Sequence, residues 1–566
     1  MIICGLKLTH DGALALVDGD RLVTSLEMEK LDNNRRHESL DRLDGVLRLL
    51  DLAGCRPADV DVFVVDGWHA STPDGLAELS VHGPDGPLTL AAAPYHERSA
   101  THDAAQPYEL SGLALAGQRH SYHSYHHATD HLFSAYCTSP FARTGEPAVV
   151  LVWDGGMLPL LYEVHPDPVR VVNHGPLLPI YGNAFAEFAG QFDAFREEFR
   201  AEQRRYGRTR PSAVAGKAMA YAGLATEERD LNPLFDKLLD EFDAMGIDSG
   251  ALLARRLLDE RARLVPGLSD ADLIAGFQNY LGQALVDAFR AVLPQLSQPA
   301  AGNLCLVGGC ALNIKWNSRL RGSGLFRDVW VPPFPNDSGS AIGAAMTHRA
   351  RTTTDPYVRW SVYAGAEPGP ARPPAGWRAV SCPPAELARL LAEVGAPVVV
   401  VDGRAEVGPR ALGHRSILAP AVRPEMKDRL NELKGREAYR PVAPICLEDR
   451  APTVFAPGSP DPYMLFEHRM RPGWAERVPA IVHLDGTARL QTVSADADPV
   501  LAEVLAAYER HTGVPVLCNT SANLRGSGFF PDVASAAEWG GTRYVWSAGE
   551  LYAAPGAVVP AELPGG

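Results

Sequence analysis

Six of the cations in residues 404–440 are set in loops punctuated by glycine and proline: Arg404, Arg410, Arg415, Lys434, Arg436 and Arg440. They are set in Asp402-Gly403-Arg404, in Gly408-Pro409-Arg410-Ala411-Leu412-Gly413-His414-Arg415-Ser416, and in Lys434-Gly435-Arg436-Glu437-Ala438-Tyr439-Arg440-Pro441. Guanidinium forks match phosphate and carboxylate oxygens in pairs, and a lysine adds a mobile point charge. Glycine and proline between the cations specify fixed loops rather than a solvated helix face. The whole chain is acidic, with 53 Lys plus Arg against 68 Asp plus Glu and a net charge of −15, so the concentration is local. It fits a pocket for a small phosphorylated substrate. A set of surface salt bridges is the plainer alternative.

A second group can bind metal. His127 and His131 lie at i and i+4 in Ser121-Tyr122-His123-Ser124-Tyr125-His126-His127-Ala128-Thr129-Asp130-His131. On a helix they share one face, one turn apart. The apolar Leu132-Phe133-Ser134-Ala135-Tyr136 that follows puts the pair near a core. Asp154 and Asp337 are hard ligands that complete a set. Two imidazoles and two carboxylates suit Fe(II), Mn(II) or Mg(II) better than structural zinc. Such an ion acts as a Lewis acid on a phosphate or carbonyl oxygen.

The elements that position these groups are legible as strands ending in glycine turns. Leu6-Lys7-Leu8-Thr9 ends at His10-Asp11-Gly12, Val149-Val150-Leu151-Val152-Trp153 at Asp154-Gly155-Gly156, and Leu304-Cys305-Leu306-Val307 at Gly308-Gly309-Cys310-Ala311. Strand-end glycines let backbone N–H groups approach a phosphate. The chain opens as strand, strand, Asp18-Gly19-Asp20 turn, strand. Three such turns after an opening hairpin resemble the actin, hexokinase and heat-shock ATPase architecture, in which two related α/β halves clamp ATP; three ordinary strand-to-helix turns remain the alternative. A helix carries Leu40, Leu43, Leu47 and Leu50 on one face, and a longer one begins after Ser269. Residues 190–270 read as an inserted helical lobe, and 67–118 as a long irregular excursion.

Length predicts two to four domains. Prolines at 356, 368, 370, 373 and 374 mark a linker in 351–378. The expected division is a large domain over 1–355, linker 356–377, and a smaller α/β domain over 378–566. The opening Met1-Ile2-Ile3-Cys4-Gly5-Leu6 reads as a strand rather than a signal peptide, and no long apolar run is present, so a cytoplasmic protein is expected. The eight scattered cysteines include no Cys-x-x-Cys, which argues against structural zinc. Net acidity argues against nucleic acid as a partner.

In combination these motifs resemble the O-carbamoyltransferases of antibiotic and nodulation-factor biosynthesis, the NodU/CmcH type. The resemblance covers nearly the whole chain. It rests on His10-Asp11-Gly12-Ala13, His127-x3-His131, Asp154-Gly155, Gly216-Lys217-Ala218-Met219, Gly308-Gly309-Cys310-Ala311-Leu312-Asn313 and Asn336-Asp337-x-Gly339. Further on it rests on Gly408-Pro409-Arg410, Lys434-x-Arg436-Glu437-x3-Pro441, Asp485-Gly486-Thr487-Ala488-Arg489 and Asn519-Thr520-Ser521. Leu26-Glu27-Met28-Glu29-Lys30 looks more like the cephem branch.

The resemblance implies two reactions. A YrdC-like C-terminal domain would make carbamoyl-adenylate from carbamoyl phosphate and ATP. An N-terminal domain of the actin-like ATPase superfold would transfer the carbamoyl group to a hydroxyl of a small secondary metabolite, with no membrane or nucleic-acid partner and as a monomer or homodimer. Arg410, Lys434 and Arg440 would hold the phosphates, with Arg489, Asn519 and Ser521 closing the pocket. His127, His131, Asp154 and Asp337 would hold a divalent metal, Fe(II) first, then Mg(II) or Mn(II). Lys217, Gly308, Gly309 and Asn313 would lie along the nucleotide. His10 is the expected base for the alcohol, since neutral imidazole suits that work near pH 7. The sequence departs from the family at Ala419-Pro420, at Ala522, and at Leu524-Arg525-Gly526-Ser527-Gly528-Phe529-Phe530, which implies a reshaped adenylate pocket. A metal-dependent sugar kinase or hydrolase is the alternative reading, and a nucleotide-binding scaffold a further one.

Overall fold

A computed structural model of the chain describes residues 1–71, 75–97, 103–206, 213–243 and 249–563. It is a two-domain α/β arrangement. In the first domain β1 (Ile2–Lys7), β2 (Ala13–Asp18), β3 (Arg21–Glu27) and β4 (Val62–Asp66) are followed by a hairpin of β5 (Ala77–Gly83) and β6 (Gly86–Ala92), then by β7 (Tyr108–Leu115) and β8 (Gln118–Tyr125). The six-stranded sheet runs β3-β2-β1-β4-β8-β7, with β1, β4 and β8 parallel and the rest antiparallel. A second sheet holds β9 (Ala148–Val152), β10 (Leu160–Pro166), β11 (Val169–Pro176), β12 (Asn303–Val307) and β13 (Asp328–Trp330). Its order, β11-β10-β9-β12-β13, repeats the first sheet's antiparallel pair followed by parallel additions. The strands β9 and β12 are buried along their whole length, as central strands covered on both faces require.

Two helices lie between the sheets. His127–Tyr136 is buried at every residue, and Ser340–Thr352 at Ser340 through Ala350. They approach at backbone distance because glycine stands at the contacts. A Cβ on Gly343 would meet Asp130 O at 2.0 Å, and one on Gly5 would meet Ala341 O at 2.0 Å. This close layer fixes the face that carries His127 and His131.

The stretch 67–118 differs from its expected irregularity: β5, β6 and β7 lie in it, while residues 72–74 and 98–102 fall outside the described segments. Its strands show the in–out burial alternation of half-covered sheet, which the His, Pro and Gly content obscures. Residues 190–270 are mainly helical where described, with non-helical connections at 225–231 and 265–269 and with 207–212 and 244–248 outside that description. The helix Asp270–Val292 begins at a capping box: Asp272 N donates to Ser269 Oγ at 3.2 Å and Ser269 N to Asp272 Oδ2 at 2.8 Å. Among the described residues no helix is long and apolar enough to cross a membrane.

The second domain comprises β14 (Arg378–Ser381), β15 (Val398–Val401), β16 (Arg415–Pro420), β17 (Ala443–Leu447), β18 (Phe455–Ala456), β19 (His468–Met470), β20 (Thr487–Ala488), β21 (Gln491–Val493), β22 (Val516–Ser521), β23 (Tyr544–Ser547) and β24 (Glu550–Ala553). Eight of these form a mixed sheet in the order β14-β24-β23-β15-β16-β22-β17-β21. Helices Pro384–Val394 and Pro499–Thr512 pack into its core through Leu387, Leu391, Leu501 and Leu505.

The segment joining the domains is tied to both. Leu22 N donates to Arg359 O at 2.9 Å and Ser25 N to Ala364 O at 2.9 Å on the first-domain side. On the other side Val407 N donates to Val362 O at 2.7 Å and Ala405 N to Ala366 O at 2.8 Å. Glu27 and Lys30 then reach across: Gly408 N donates to Glu27 Oε1 at 2.7 Å, and Lys30 Nζ donates to Gly408 O at 2.6 Å and to Glu406 O. Gly408, at φ 95°, sits where a Cβ would meet Pro333 O at 2.1 Å.

Candidate functional site

The first constellation forms where β1, β4 and the helix His127–Tyr136 converge. His127 Nε2 and His131 Nε2 are 3.1 Å apart, and each lies 3.5 Å from Asp337 Oδ1. Ligand atoms of His127, His131, Asp154 and Asp337 all lie within 4.8 Å of one another. His127 Nδ1 faces both Asp66 oxygens, at 2.9 and 3.0 Å, which fixes the ring's orientation and turns Nε2 toward the cluster. Asp154 accepts from Tyr95 OH at 2.6 Å and from Gly309 N at 2.7 Å. Lys7 Nζ pairs with Asp66 at 2.7 Å and Asp337 at 2.9 Å.

At His127 and Asp337 burial opposes charge, and pairing outweighs it. It lowers the His127 imidazolium, yet Asp66 and Asp337 hold it up at about 9. It raises the Asp337 carboxyl, yet Lys7 and the histidines hold that group well below its ordinary range. His131 Nδ1 is buried without a hydrogen-bond partner. Two imidazole Nε2 atoms turned toward each other and toward a carboxylate oxygen are a donor set that fits a divalent metal.

His10 stands at the rim. Its Nε2 is 3.5 Å from Asp337 Oδ2 and its Nδ1 is 3.0 Å from Asp11 Oδ2. Neighbouring side chains meet in this way because Asp11 takes the left-handed φ of 53°. The other Asp11 oxygen lies 2.6 Å from His37 Nδ1. Burial would raise the Asp11 carboxyl, but His37 and His10 hold it far below its ordinary value, so it is a carboxylate. Trp68 closes the wall, its ring 5.3 Å from His10 and 4.3 Å from Lys7 Nζ.

The second constellation belongs to the second domain. The Nε atoms of Arg410, Arg436, Arg440 and Arg489 are buried without hydrogen-bond partners. Burial, then the charge of Arg36 and Arg440, pushes Arg410 down to about 10; burial with Arg440 and Arg489 pushes Arg436 down to about 9. Lys434 is held by a turn of oxygens: Ser521 O, Ser521 Oγ at 3.0 Å, Asn523 O at 2.8 Å and Asn523 Oδ1 at 2.6 Å. Asn519 Nδ2 donates to Ala411 O at 3.1 Å and to Gln491 Oε1 at 2.7 Å, securing the loop behind Arg410.

The family model described as the carbamoyltransferase N-terminus matches residues 2–346, and the carbamoyltransferase C-terminus matches 388–543. The chain belongs to the carbamoyltransferase family. Nodulation protein U of Rhizobium tropici is 46% identical over 98% of this chain and 96% of that one. The 3'-hydroxymethylcephem-O-carbamoyltransferase of Streptomyces clavuligerus is 32% identical over 95% of this chain and 96% of that one. Identity is thus higher to the nodulation proteins than to the cephem enzymes toward which Leu26–Lys30 pointed. Among solved structures, HypF of T. kodakarensis aligns with a TM-score of 0.32 at 10% identity, over 63% of this chain and 49% of that one, a likeness too low to bear on function.

In this carbamoyltransferase the six loop cations singled out between 404 and 440 part company. Arg404 donates to Gly365 O, Ala364 O, Val23 O and Thr24 Oγ1, and Arg415 to the carbonyls of Asp402, Gly403, His414 and Ala366. Both hold backbone rather than ligand. Lys217 Nζ pairs with Glu198 at 2.6 Å and with Glu437 of the cation loop at 3.0 Å, so it bridges the helical lobe to the second domain. Gly309 lies on Asp154, Gly308 has a φ of 92°, and Asn313 caps the helix Ile314–Gly322 by accepting from Lys315 N at 3.1 Å. Sequence reasoning missed Lys7, Asp66, Tyr95 and His37. Asp66 carried a usable signal: it ends the apolar run Val62–Val65 as Asp154 follows β9.

Proposed function

We propose that the enzyme is an ATP-dependent O-carbamoyltransferase that works in two steps at two sites. The second domain, read as YrdC-like, makes carbamoyl-adenylate from carbamoyl phosphate, water and ATP: water takes the phosphoryl group of carbamoyl phosphate and phosphate leaves, and the carbamate oxygen then bonds to the α-phosphorus of ATP as the bond to pyrophosphate breaks. The first domain, read as the actin-like ATPase superfold on its matching sheet orders, passes the carbamoyl group to a hydroxyl of a small secondary metabolite. The observation that carries this reading is the group of four guanidinium Nε atoms buried without partners. Like charges gathered in a half-buried space cost free energy until an anion joins them, and a phosphate-bearing substrate supplies oxygens for all of them.

In the transfer step the acceptor oxygen forms a bond to the carbamoyl carbon, the bond to the adenylate oxygen breaks, and AMP leaves. His10 Nε2 takes the hydroxyl proton. Asp11 accepts from His10 Nδ1 and stabilises the imidazolium that results. His127, His131, Asp154 and Asp337 would hold a divalent metal, with Fe(II), Mg(II) and Mn(II) all compatible with the donors. When bound, it supplies a positive centre for phosphate or carbonyl oxygen. Lys7 keeps Asp337 and Asp66 ionised and in place.

The test is the purified enzyme with ATP, carbamoyl phosphate and Fe(II) or Mg(II), without acceptor, followed by mass spectrometry. Carbamoyl-adenylate and pyrophosphate are the expected products. ADP without adenylate would overturn the reading in favour of a kinase.

A further inference from the structure

The loop Asp32–His37 of the first domain lies against the second-domain pocket. Arg36 N donates to Gly526 O at 3.2 Å, and Phe529 N donates to Glu29 O at 2.8 Å. Both contacts fall just after Ser521 and Asn523, the residues that wrap Lys434. Gly528 is needed there, since a Cβ would meet Glu29 O at 2.2 Å. The loop is therefore held at backbone distance from the pocket wall.

Adjacent residues of this loop serve different sites. His37, at φ 57°, turns its ring to Asp11 and so toward His10. Arg36 is exposed, and among the described residues no carboxylate lies within ion-pair distance of its guanidinium. Its charge instead bears on Arg410, Lys434, Arg436 and Arg440, and on Arg410 more strongly than that of Arg440. An exposed arginine is free to swing into water, away from like charges. Placement beside four cations without a carboxylate is stable when an anion is shared among them.

We infer that Arg36, carried by the first domain, is a further anion-binding residue of the second-domain pocket, reaching the same phosphate-bearing ligand as Arg410 and Arg440. The pocket is then incomplete in the second domain alone. This rests on the two-step reading above, and the experiment separates the two.

Arg36→Gln and Arg36→Lys are compared with wild type in two measurements on the full chain. One is the KM for carbamoyl phosphate in adenylate formation; the other is calorimetric binding of inorganic pyrophosphate. Loss of one charge-assisted contact predicts a rise of about tenfold or more in KM and a matching loss of pyrophosphate affinity for Arg36→Gln, with most of both recovered by Arg36→Lys. Exposure of Arg36 makes a folding defect an unexpected cause, and an unchanged unfolding midpoint checks it. Unchanged KM and affinity in Arg36→Gln would overturn the inference and leave the two-step reading standing. If wild type forms no adenylate but binds pyrophosphate in an Arg36-dependent way, the inference holds and the two-step reading falls. No pyrophosphate binding by wild type overturns the inference as well.

Discussion

At the scale of single residues, His10 and Asp11 show how a backbone angle decides a chemical role. Successive residues on a strand point to opposite faces. Asp11 escapes that rule by adopting φ 53°, and its carboxylate then meets His10 Nδ1 at 3.0 Å and His37 Nδ1 at 2.6 Å. Removing the base isolates the second reaction from the first. His10→Gln is expected to slow carbamoyl transfer by about 10²- to 10⁴-fold while adenylate formation persists. Mass spectrometry of both products from one reaction checks this, and an equal loss of adenylate would sink the assignment. Residue types and spacing singled out His127, His131, Asp154 and Asp337, whose ligand atoms the structure brings within 4.8 Å of one another, with His10 beside Asp337. Lys7 was not singled out, since a lysine inside an apolar strand gains its meaning only from Asp66, 59 residues away.

At the scale of elements, the glycines did their work in two ways. Those in turns were readable as turns. Those at helix contacts, Gly5 and Gly343, were not, because the atom each one admits belongs to a distant segment. Gly343→Ala places a methyl group against Asp130 O, which is backbone and cannot rotate away. The expected cost is about 1–3 kcal/mol of stability. The same shift moves His127 and His131, so retention of Fe(II) after dialysis should fall with the urea midpoint. A variant with wild-type stability and metal content would contradict this packing. The strands of 67–118 were hidden for a related reason: their half-covered faces carry few apolar residues, and their partner strands are supplied by topology rather than by local pattern.

At the scale of the whole molecule, prolines in 356–377 signalled a boundary but not its stiffness. Backbone bonds from this segment to both domains make it a strap, and Glu27 and Lys30 add a buried clamp on the Gly408 loop. Burial, opposed by Lys30, pushes the Glu27 carboxyl from 4.5 up to about 7. The folded protein therefore holds this proton more tightly than the unfolded chain does. Its stabilising share is complete below pH 4.5 and is lost as pH rises through about 7. Glu27→Gln should flatten the dependence of the urea midpoint on pH between about 5 and 8. A variant as steep as wild type would show that the clamp carboxylate is already ionised throughout. The matching strand orders of the two first-domain sheets carry a last consequence. If the halves descend from one duplicated ancestor, the turn after β1 and the turn after β9 are counterparts by pseudo-twofold symmetry. One now bears His10, the proposed proton acceptor, and the other the carboxylate Asp154, so a once-repeated position would be divided between two kinds of chemistry. The helices of 184–301 were inserted into one copy alone, which leaves the symmetry in the sheets and removes it from the surface.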